Sequence, residues 1–413
     1  MKTYPSRRSS INIGIIGLGT VGLAVARNLK AVAGIRIKKG CDIRNIRFPF
    51  PVSRNPYDVI NDPAISIVVE AIGGVNPAKK LVLAALKNGK HVVTSNKELI
   101  ALHMSELLAA AKKSGVRLLF EGAVGGGIPI LNTLRDELSG NRIDEVYGIV
   151  NGTTNYILSK MTAEGMEFSE ALKKAKEKGF AEANPKSDIE GYDASYKAAI
   201  MASVAFGARV KWQDVYREGI EKIASEDIAY AADIGYVVKL MAIAKLAGGR
   251  LDVRVHPALV AKTHPLANVS ENFNAIYVKG FPVGELMFYG PGAGGNPTSS
   301  AVINDILAIA NAECLMPNAE LRNYKIRKID EIESRYYIRL QVPDRYGVLA
   351  GISKAFASKK VSVAAVTQKE TVGNLATIII LLHGIKEKSL KSALSSIRKL
   401  PVVHRICNVI RIM

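Results

Sequence analysis

The stretch INIGIIGLGTVG, residues 11–22, joins an apolar run rich in isoleucine to a glycine-rich turn. Residues 23–33, which follow it, are rich in alanine and leucine and predict a helix. A strand, the pattern G-x-G-x-x-G and a helix in this order are the context of a dinucleotide-binding turn. In that turn Gly17 permits the tight bend, Gly19 lets the backbone approach a pyrophosphate, and Gly22 lets the helix pack closely on the strand. The stretch therefore predicts an α/β domain of the Rossmann type, with the pyrophosphate at the helix N-terminus.

A second strand, predicted over residues 35–41, is followed by Asp42, twenty residues after Gly22. An acid at this position accepts a hydrogen bond from the ribose 2′-OH of NAD, whereas a nearby arginine accommodates the 2′-phosphate of NADP. Arg44 stands two residues further on. Because both residue types are present, the sequence leaves the choice between NAD and NADP open.

Two more apolar runs, residues 66–72 and 89–97, predict parallel strands that are buried on both faces. The second run ends in polar residues, among them Lys97, at the sheet edge where ligands bind in open α/β folds. Lys97 is therefore either a phosphate or substrate contact or an exposed loop lysine. A helix is predicted over residues 107–114, well after this lysine.

After a strand predicted over residues 116–121 comes the glycine-rich segment 122–129. Its backbone carbonyls, beside the Glu121 carboxylate, are able to ligate a hard cation through oxygen. A flexible domain junction is the alternative, and the residues alone do not separate the two interpretations.

The residues 179–197 combine a glycine-punctuated loop with a helix that is predicted to begin at Asp193. Asp193 and Lys197 are four residues apart, so that both side chains project from one helical face. Glu182 and Asp188 lie on the loop, which can fold over that face and form a pocket for a small zwitterion. An exposed surface ion pair is the simpler alternative for a lone Asp–Lys pair at this spacing.

The rest of the middle region is less informative. A strand predicted over residues 141–150 ends in Asn151-Gly152-Thr153-Thr154-Asn155, which is either a cluster of binding groups or a helix cap. Residues 210–246 predict helices, residues 253–283 predict strands, and the polar residues 315–335 predict a linker. The tail from residue 335 predicts the order β-α-β-β-α-β, which is ferredoxin-like.

Composition excludes several classes of protein. A chain of 413 residues with 48% hydrophobic and 23% charged residues predicts two or three globular domains. No apolar run approaches the roughly 18 residues that span a bilayer, so that no membrane role is expected. The three cysteines are scattered without metal-ligand spacing, which favours a reducing cytoplasm.

The net charge of +19 is concentrated in residues 335–413, which hold 14 Lys and Arg against 3 Asp and Glu. These charges are spaced singly among apolar residues, and the sequence lacks a helix-turn-helix, zinc-finger or aromatic stacking pattern. A solvated basic surface is therefore expected rather than a nucleic-acid partner.

Seven segments, taken together, resemble the homoserine dehydrogenase family over residues 12–312. They are GLGTVG, EAIGG, GKHVVTSNK, FEGAVGGGIP, NGTTNYIL, GFAEANPKSDIEGYDASYK and GPGAGGNPTSSAV. The tail, with VPDRYGVL, VSV and Gln368, resembles an ACT domain, a module that binds amino acids at paired interfaces. The resemblance implies NAD(P)H-dependent reduction of L-aspartate 4-semialdehyde to L-homoserine, on the pathway to threonine and methionine. It also implies a monofunctional enzyme without an aspartokinase domain, a homodimer or homotetramer, and feedback by threonine or methionine at the ACT domain.

The resemblance implies roles for individual residues. Lys197 is expected to exchange a proton with the substrate oxygen as hydride moves, and Lys97 to bridge nicotinamide and substrate. The implied substrate-binding residues are Glu182, which is expected to hold the amino group, Asp193, Asp188 and Thr153. The implied cofactor-binding residues are Gly17, Leu18, Gly19, Thr20, Val21, Gly22, Asp42, Arg44, Thr94, Ser95, Lys97, Gly179 and Gly294. Glu121, with the carbonyls of Val124, Gly126 and Ile128, matches a structural sodium site.

The expected fold class is α/β, in three domains. Residues 1–130 form a Rossmann-type NAD(P)-binding domain that is completed by residues 296–314, and residues 131–295 form an α+β substrate-binding and dimerisation domain. Residues 315–334 form a linker, and residues 335–413 a ferredoxin-like ACT regulatory domain.

Two other functions are consistent with parts of the sequence. An aspartate semialdehyde dehydrogenase needs a cysteine nucleophile, but Cys41 is expected beside the ribose site rather than at the reaction centre. A catalytically silent protein that regulates a partner or nucleic acid through its ACT domain is disfavoured, because Lys97, Glu182, Asp193 and Lys197 are all present.

Overall fold

Two β-sheets, one of six strands and one of eleven, organise the computed structural model, which describes residues 11–311, 322–372 and 375–413. Within these ranges, no helix is both long and apolar enough to cross a membrane. Cys314, one of the three cysteines, and the first part of the predicted linker lie outside the described residues.

The six-stranded sheet is parallel throughout, in the order β3-β2-β1-β4-β5-β6. This is the strand order of the doubly wound dinucleotide-binding fold, so that the predicted Rossmann-type fold is confirmed. Its elements are β1 (Ile11–Ile16), α1 (Thr20–Asn28), β2 (Ile35–Cys41), β3 (Val52–Ser53), α2 (Tyr57–Ile60), β4 (Ile67–Glu70), α3 (Ala78–Lys87), β5 (His91–Thr94), α4 (Lys97–Lys113) and β6 (Leu118–Leu119). The helix predicted over residues 107–114 is in fact the second half of α4, which begins ten residues earlier at Lys97.

The glycine-rich turn has the geometry that the motif predicts. Gly17 has φ +95°, and a Cβ on it would lie 2.6 Å from the carbonyl oxygen of Ala71. A Cβ on Gly22 would lie 1.9 Å from the carbonyl oxygen of Gly17, so that α1 packs against the turn only because this side chain is absent. Among the described residues, no atom lies within 4 Å of a Cβ built on Gly19. The space beside Gly19 is therefore open to a ligand.

The middle region alternates helices with long antiparallel strands. Its elements are β7 (Arg142–Ile149), α5 (Gly152–Glu164), α6 (Phe168–Glu177), α7 (Lys186–Ile189), α8 (Tyr192–Phe206), β8 (Tyr216–Arg217), α9 (Ser225–Asp233), β9 (Tyr236–Ala247), β10 (Arg250–Ala261), β11 (Phe273–Phe281), β12 (Gly284–Pro291) and α10 (Gly295–Ala310). The helix α10 returns to the first domain, where Asn28 Nδ2 donates to Ser299 Oγ at 2.7 Å.

The prediction of helices over residues 210–246 is right for α9 and for a short 3-10 helix at residues 212–214, but it is wrong for β8 and β9. Residues 236–247 form β9, a 12-residue strand between β7 and β10. Seven consecutive residues of β9 are buried, because one face packs on α8 and the other on the loop that contains Leu266. Burial on both faces removes the alternation that would have identified a strand.

The C-terminal elements follow the predicted ferredoxin-like order. They are β14 (Glu333–Pro343), α11 (Val348–Ser358), β15 (Val363–Val372), β16 (Leu375–Lys386), α12 (Glu387–Arg398) and β17 (Arg405–Ile412), preceded by β13 (Lys325–Ile326). This unit is not separate from the middle domain. β17 runs parallel to β10, with Ala258 opposite Arg411 and Leu259 opposite Ile412. One sheet, in the order β12-β11-β7-β9-β10-β17-β14-β16-β15, therefore passes through both domains.

Candidate functional site

Two lysines from different domains converge on one buried carboxylate. Asp193 Oδ1 lies 2.5 Å from Lys97 Nζ, and Asp193 Oδ2 lies 2.6 Å from Lys197 Nζ. The side chains of Asp193 and Lys197 are 3% and 9% exposed, whereas that of Lys97 is 44% exposed. The interpretation of Asp193 and Lys197 as a solvated surface pair is therefore wrong. One amine is buried behind the carboxylate, and the other stands at the mouth of the site.

Local sequence determines where each lysine stands. Lys97 is the first residue of α4, whose N-cap Asn96 accepts a hydrogen bond from the Leu99 N–H at 3.0 Å. The Asn96 amide also donates to the Gly74 carbonyl at 2.6 Å, which ties this helix start to the loop after β4. α8 begins at Tyr192, directly after a glycine in the left-handed conformation.

The surroundings of Lys197 favour its neutral form more than those of an ordinary lysine. Burial lowers the pKa of Lys197, and the carboxylate of Asp193 opposes this shift. Its Nζ also donates to the Val150 carbonyl at 2.6 Å, at the end of β7. Two of its three N–H donors are thus directed to fixed acceptors.

The charges on the other two groups are stabilised. Burial raises the pKa of Asp193, but the charges of Lys197 and Lys97 outweigh it and hold that pKa below its ordinary value. The charge of Asp193 raises the pKa of Lys97, and the charges of Asp188 and Glu182 act in the same direction. The site therefore holds a lysine whose pKa is raised, a lysine whose pKa is lowered, and a carboxylate between them.

Asn151 joins the acids of the site and also caps a helix, so that both interpretations of its segment apply. Its Nδ2 donates to Asp188 Oδ1 at 2.7 Å and to Asp193 Oδ2 at 2.9 Å. Its Oδ1 accepts from the Thr154 N–H at 2.9 Å, so that the same side chain also caps α5. The position of Asn151 directly after a strand and before a helix was the signal in the sequence. Burial raises the pKa of Asp188.

The remaining predicted substrate residues border this group. Thr153 Oγ1 donates to the Phe180 carbonyl at 2.6 Å, which fastens the loop before α7 to the first turn of α5. Glu182 is exposed on that loop, close enough for its charge to act on Lys97. Gly179, predicted to contact the cofactor, is exposed at the start of the loop with φ +73°.

The nucleotide edge of the first domain places Asp42 and Arg44 together. Asp42 Oδ2 accepts from the Leu18 N–H at 2.9 Å, and Oδ1 accepts from the Arg44 N–H at 2.9 Å. The Arg44 guanidinium donates to both carboxylate oxygens and to the Leu18 carbonyl. The hydrogen bond from Arg44 lowers the pKa of Asp42. Thr20 and Val21 form the first turn of α1, beside the open space at Gly19.

Thr94 is the last residue of β5, and Ser95 follows it, two residues before Lys97. Thr94 is fully buried, and its hydroxyl donates to Glu70 Oε2 at 2.5 Å, so that its side chain supports the end of the strand. Ser95 lies against Gly122, where a Cβ would be 2.9 Å from the Cβ of Ser95. Gly294, with φ +116°, is the N-cap of α10.

The Glu121 carboxylate is used within the protein. It accepts hydrogen bonds from the N–H groups of Ile130, Leu131 and Asn132 at 2.7, 2.9 and 2.5 Å. The same residue's N–H donates to Asp305 Oδ2 at 2.9 Å. Searched over the described ranges, the structure holds no group of three or more His, Cys, Asp or Glu side chains suited to a metal ion. The Glu121 carboxylate therefore fixes the backbone of residues 130–132.

Three family models match consecutive parts of the chain. Residues 17–121 match the model described as the NAD-binding domain of homoserine dehydrogenase, residues 129–307 match that of homoserine dehydrogenase, and residues 336–402 match the ACT domain. Among curated proteins, the homoserine dehydrogenase of Synechocystis is 40% identical over 432 residues, which covers 98% of this chain and 100% of the relative. That of Bacillus subtilis is 38% identical, with 98% of each chain covered.

Solved structures of homoserine dehydrogenases also resemble this chain. A homoserine dehydrogenase from Thiobacillus denitrificans aligns with a TM-score of 0.93 at 39% identity, covering 98% of each chain. A hyperthermophilic archaeal homoserine dehydrogenase in complex with NADPH aligns with a TM-score of 0.65 at 29% identity, covering 75% of this chain and 99% of the other.

Proposed function

Because the chain belongs to the homoserine dehydrogenase family, we propose that Lys97, Asp193 and Lys197 form its catalytic centre. The chain is an NAD(P)-dependent oxidoreductase, and the reaction is the reversible reduction of L-aspartate 4-semialdehyde to L-homoserine. The observation that carries the proposal is the convergence of one buried and one exposed lysine on Asp193.

Lys197 is the proton donor in this proposal. Reduction of an aldehyde builds negative charge on its oxygen, which an adjacent ammonium stabilises and protonates. Bound NAD(P)H supplies the hydride. The bonds of Lys197 to Asp193 and Val150 leave one N–H donor for the substrate oxygen. Burial favours the neutral amine of Lys197 that remains after the proton has moved to the substrate.

Lys97 remains a cation and orients the reactants. Its pairing with Asp193 raises its pKa, so that it does not compete with Lys197 for proton transfer. Its exposure at the start of α4 lets it face nicotinamide and substrate together. Glu182 binds the substrate ammonium in this proposal. Asp188, Thr153 and Asn151 form the rest of the substrate pocket.

The direct test follows reduced-nicotinamide absorbance with L-aspartate 4-semialdehyde in one direction and L-homoserine in the other. We expect turnover in both directions with at least one of NADPH and NADH. Absence of turnover in both directions with both cofactors would leave the regulatory binding protein as the better explanation.

Arg44 is proposed to admit NADPH. In this structure it neutralises Asp42, the acid that would otherwise repel a 2′-phosphate, and its side chain is 57% exposed. Arg44→Ala is expected to raise KM for NADPH about tenfold by removing a charge-assisted hydrogen bond, with a much smaller change for NADH. The measurement is KM for each cofactor. Arg36→Ala, an exposed arginine near the other end of β2, is the control, and an equal rise for both cofactors would contradict the role.

The glycine-rich loop is proposed to hold a structural sodium ion. The carbonyl oxygens of Glu121, Val124, Gly126 and Ile128 would be its ligands, and all four residues are buried. Neutral carbonyl oxygens suit a hard cation, and the Glu121 carboxylate is engaged by backbone N–H groups. Thermal unfolding in NaCl and in choline chloride at equal ionic strength tests this: the midpoint should be higher in NaCl, and equal midpoints would argue against the ion.

The ACT domain is proposed to bind L-threonine or L-methionine, and the chain to assemble as a homodimer or homotetramer. A cavity of about 150 Å³ lies between the end of β14 and the start of α11, lined by Val342, Asp344, Gly347, Val348, Gln368 and Ile378. Titration calorimetry with each amino acid tests the binding, and sedimentation equilibrium tests the assembly.

The cytoplasmic location stays a prediction, which cell fractionation would check.

A further inference from the structure

The two-residue strand β8 lies between the catalytic centre and the C-terminal domain and faces both. It pairs with β10 in parallel, with Tyr216 opposite Arg254 and Arg217 opposite Val255. Successive side chains of a strand point to opposite faces. Arg217 therefore faces one side of the sheet, while Tyr216 faces the other.

On the first face, Arg217 holds the turn from which α8 begins. Its guanidinium carbon lies 3.4 Å from the centroid of the Tyr192 ring, and Nη1 donates to the Glu190 carbonyl. Gly191, between these two residues, has φ +80°. A cation over an aromatic ring and a hydrogen bond to the adjacent carbonyl thus fix both ends of a three-residue turn.

The backbone that follows β8 packs on the same region. The Ile220 N–H donates to the Ile189 carbonyl at 2.9 Å. A Cβ on Gly219 would lie 2.3 Å from that same oxygen, so that the two chain segments are in direct backbone contact. The segment from Arg217 to Ile220 therefore determines the position of the turn as well as its orientation.

This turn matters because Asp193 and Lys197 occupy the first two turns of α8. Asp193 follows Tyr192 directly, so that a displacement of the Tyr192 ring displaces the carboxylate shared by both lysines. Misplacement of a catalytic group by about 1 Å is enough to lower a rate about a hundredfold.

On the second face, β8 is bound to the C-terminal domain. Arg411 of β17 donates through Nη1 to Glu218 Oε2 at 2.8 Å and through Nη2 to the Tyr216 hydroxyl at 3.3 Å. The same guanidinium donates to Glu387 Oε1 at 2.8 Å, and Glu387 is the first residue of α12. The Tyr336 hydroxyl donates to the other oxygen of Glu387 at 2.7 Å. A buried network thus extends from the C-terminal domain to the residues on either side of Arg217.

We propose that Arg217 is a positioning residue for Asp193 and Lys197, and that β8 transmits the position of the C-terminal domain to them. The proposal rests on the catalytic roles assigned above to those two residues. Arg217 acts through Tyr192 and Glu190.

Arg217→Gln should lower kcat about tenfold to a hundredfold. KM for the nicotinamide cofactor should change less than about twofold, because the dinucleotide turn belongs to the other sheet. Arg217→Lys keeps a cation over Tyr192 and should recover most of kcat. Lys211→Gln, an exposed lysine six residues earlier, is the control and should leave kcat unchanged. A parallel loss of kcat and cofactor binding, with no recovery in Arg217→Lys, would reduce Arg217 to a general stability role.

The transmission is tested by a double-mutant cycle. Glu218→Gln weakens the bond to Arg411 and should lower kcat about threefold to tenfold, in the same direction as Arg217→Gln. Because both changes act on one turn, the double variant should be no slower than Arg217→Gln alone. Strictly multiplicative losses would overturn the transmission.

Trp212 supplies a signal that is independent of turnover. It is the only tryptophan of the chain, and its ring lies 6.3 Å from that of Tyr192 and 5.0 Å from that of Tyr196. Its fluorescence should shift in Arg217→Gln and Glu218→Gln but not in Lys173→Gln, a change of an exposed lysine on α6. Unshifted emission in both of the first two variants would overturn the proposal, even if the enzyme proved inactive and the proposed function failed separately.

Discussion

Lys197→Ala is expected to lower kcat by about a thousandfold in both directions, within the range for loss of a general acid–base. The variant lacks the group that protonates the alkoxide, and Asp193 then keeps its contacts with Lys97 and Asn151. Binding of the cofactor, followed by fluorescence of reduced nicotinamide, should persist because the dinucleotide turn is unaffected. Activity equal to that of the wild type would remove Lys197 from the mechanism and leave Lys97 as the candidate.

Lys197→Arg separates charge from proton transfer. Arginine retains the positive charge beside Asp193 but does not release its proton at accessible pH, so that kcat should stay low.

The dependence of kcat on pH should have opposite directions for the two reactions. Reduction needs protonated Lys197, whose pKa is lowered by burial. As pH rises through that lowered pKa, kcat for reduction should therefore fall and kcat for oxidation should rise. The charged groups that face it are Asp193 from its own helix, Lys97 from α4 and Asp188 from α7. Both limbs should be absent in Lys197→Ala.

Asp227→Ala is expected to lower the free energy of unfolding by about 3–5 kcal/mol, as when one partner of a buried ion pair is removed. Asp227, on α9, is fully buried. It accepts from Arg339 Nε at 2.7 Å, from Asn408 Nδ2 at 2.7 Å and from the Tyr337 hydroxyl at 3.3 Å. Its loss leaves the Arg339 guanidinium, itself 6% exposed, without its main counter-charge. Urea unfolding followed by circular dichroism measures the change.

The neighbouring residue supplies a matched control. Glu226 also pairs with Arg339, at 2.8 Å, but its side chain is 62% exposed. Glu226→Ala should therefore cost less than about 1 kcal/mol. Asp227→Leu combined with Arg339→Met removes both buried charges and should recover most of the loss. Equal destabilisation by Asp227→Ala and Glu226→Ala would show that burial does not determine the strength of this pair.

Features that depend on local chemistry were predictable from the sequence. In the glycine pattern of the first turn, the φ of +95° at Gly17 and the close approach of Gly22 to the Gly17 carbonyl are both local requirements. The order of the C-terminal elements follows from turn signals and alternation. The start of α4 was also encoded, since Asn96 is an N-cap and Glu98 lies in the first turn, but the apolar periodicity was recognised only from residue 107 onwards.

Features that depend on the assembled structure were not predictable from the residues alone. β9 lacks alternation because both of its faces are covered. Asn151 has the residue type and position of a cap, and only the folded chain brings Asp188 and Asp193, 37 and 42 residues later, to its amide. The contact between β17 and β10 comprises two paired positions on each strand, too few to leave a pattern.

That contact determines what truncation of the C-terminal domain would do to the rest of the chain. A cut before β14 would uncover Ala258 and Leu259 at the edge of β10 and would remove Arg339, the partner of Asp227. An uncovered strand edge pairs with other chains, and the shortened enzyme would aggregate. Point substitutions in the ACT cavity, which leave β17 in place, are therefore the better test of the proposed amino-acid regulation.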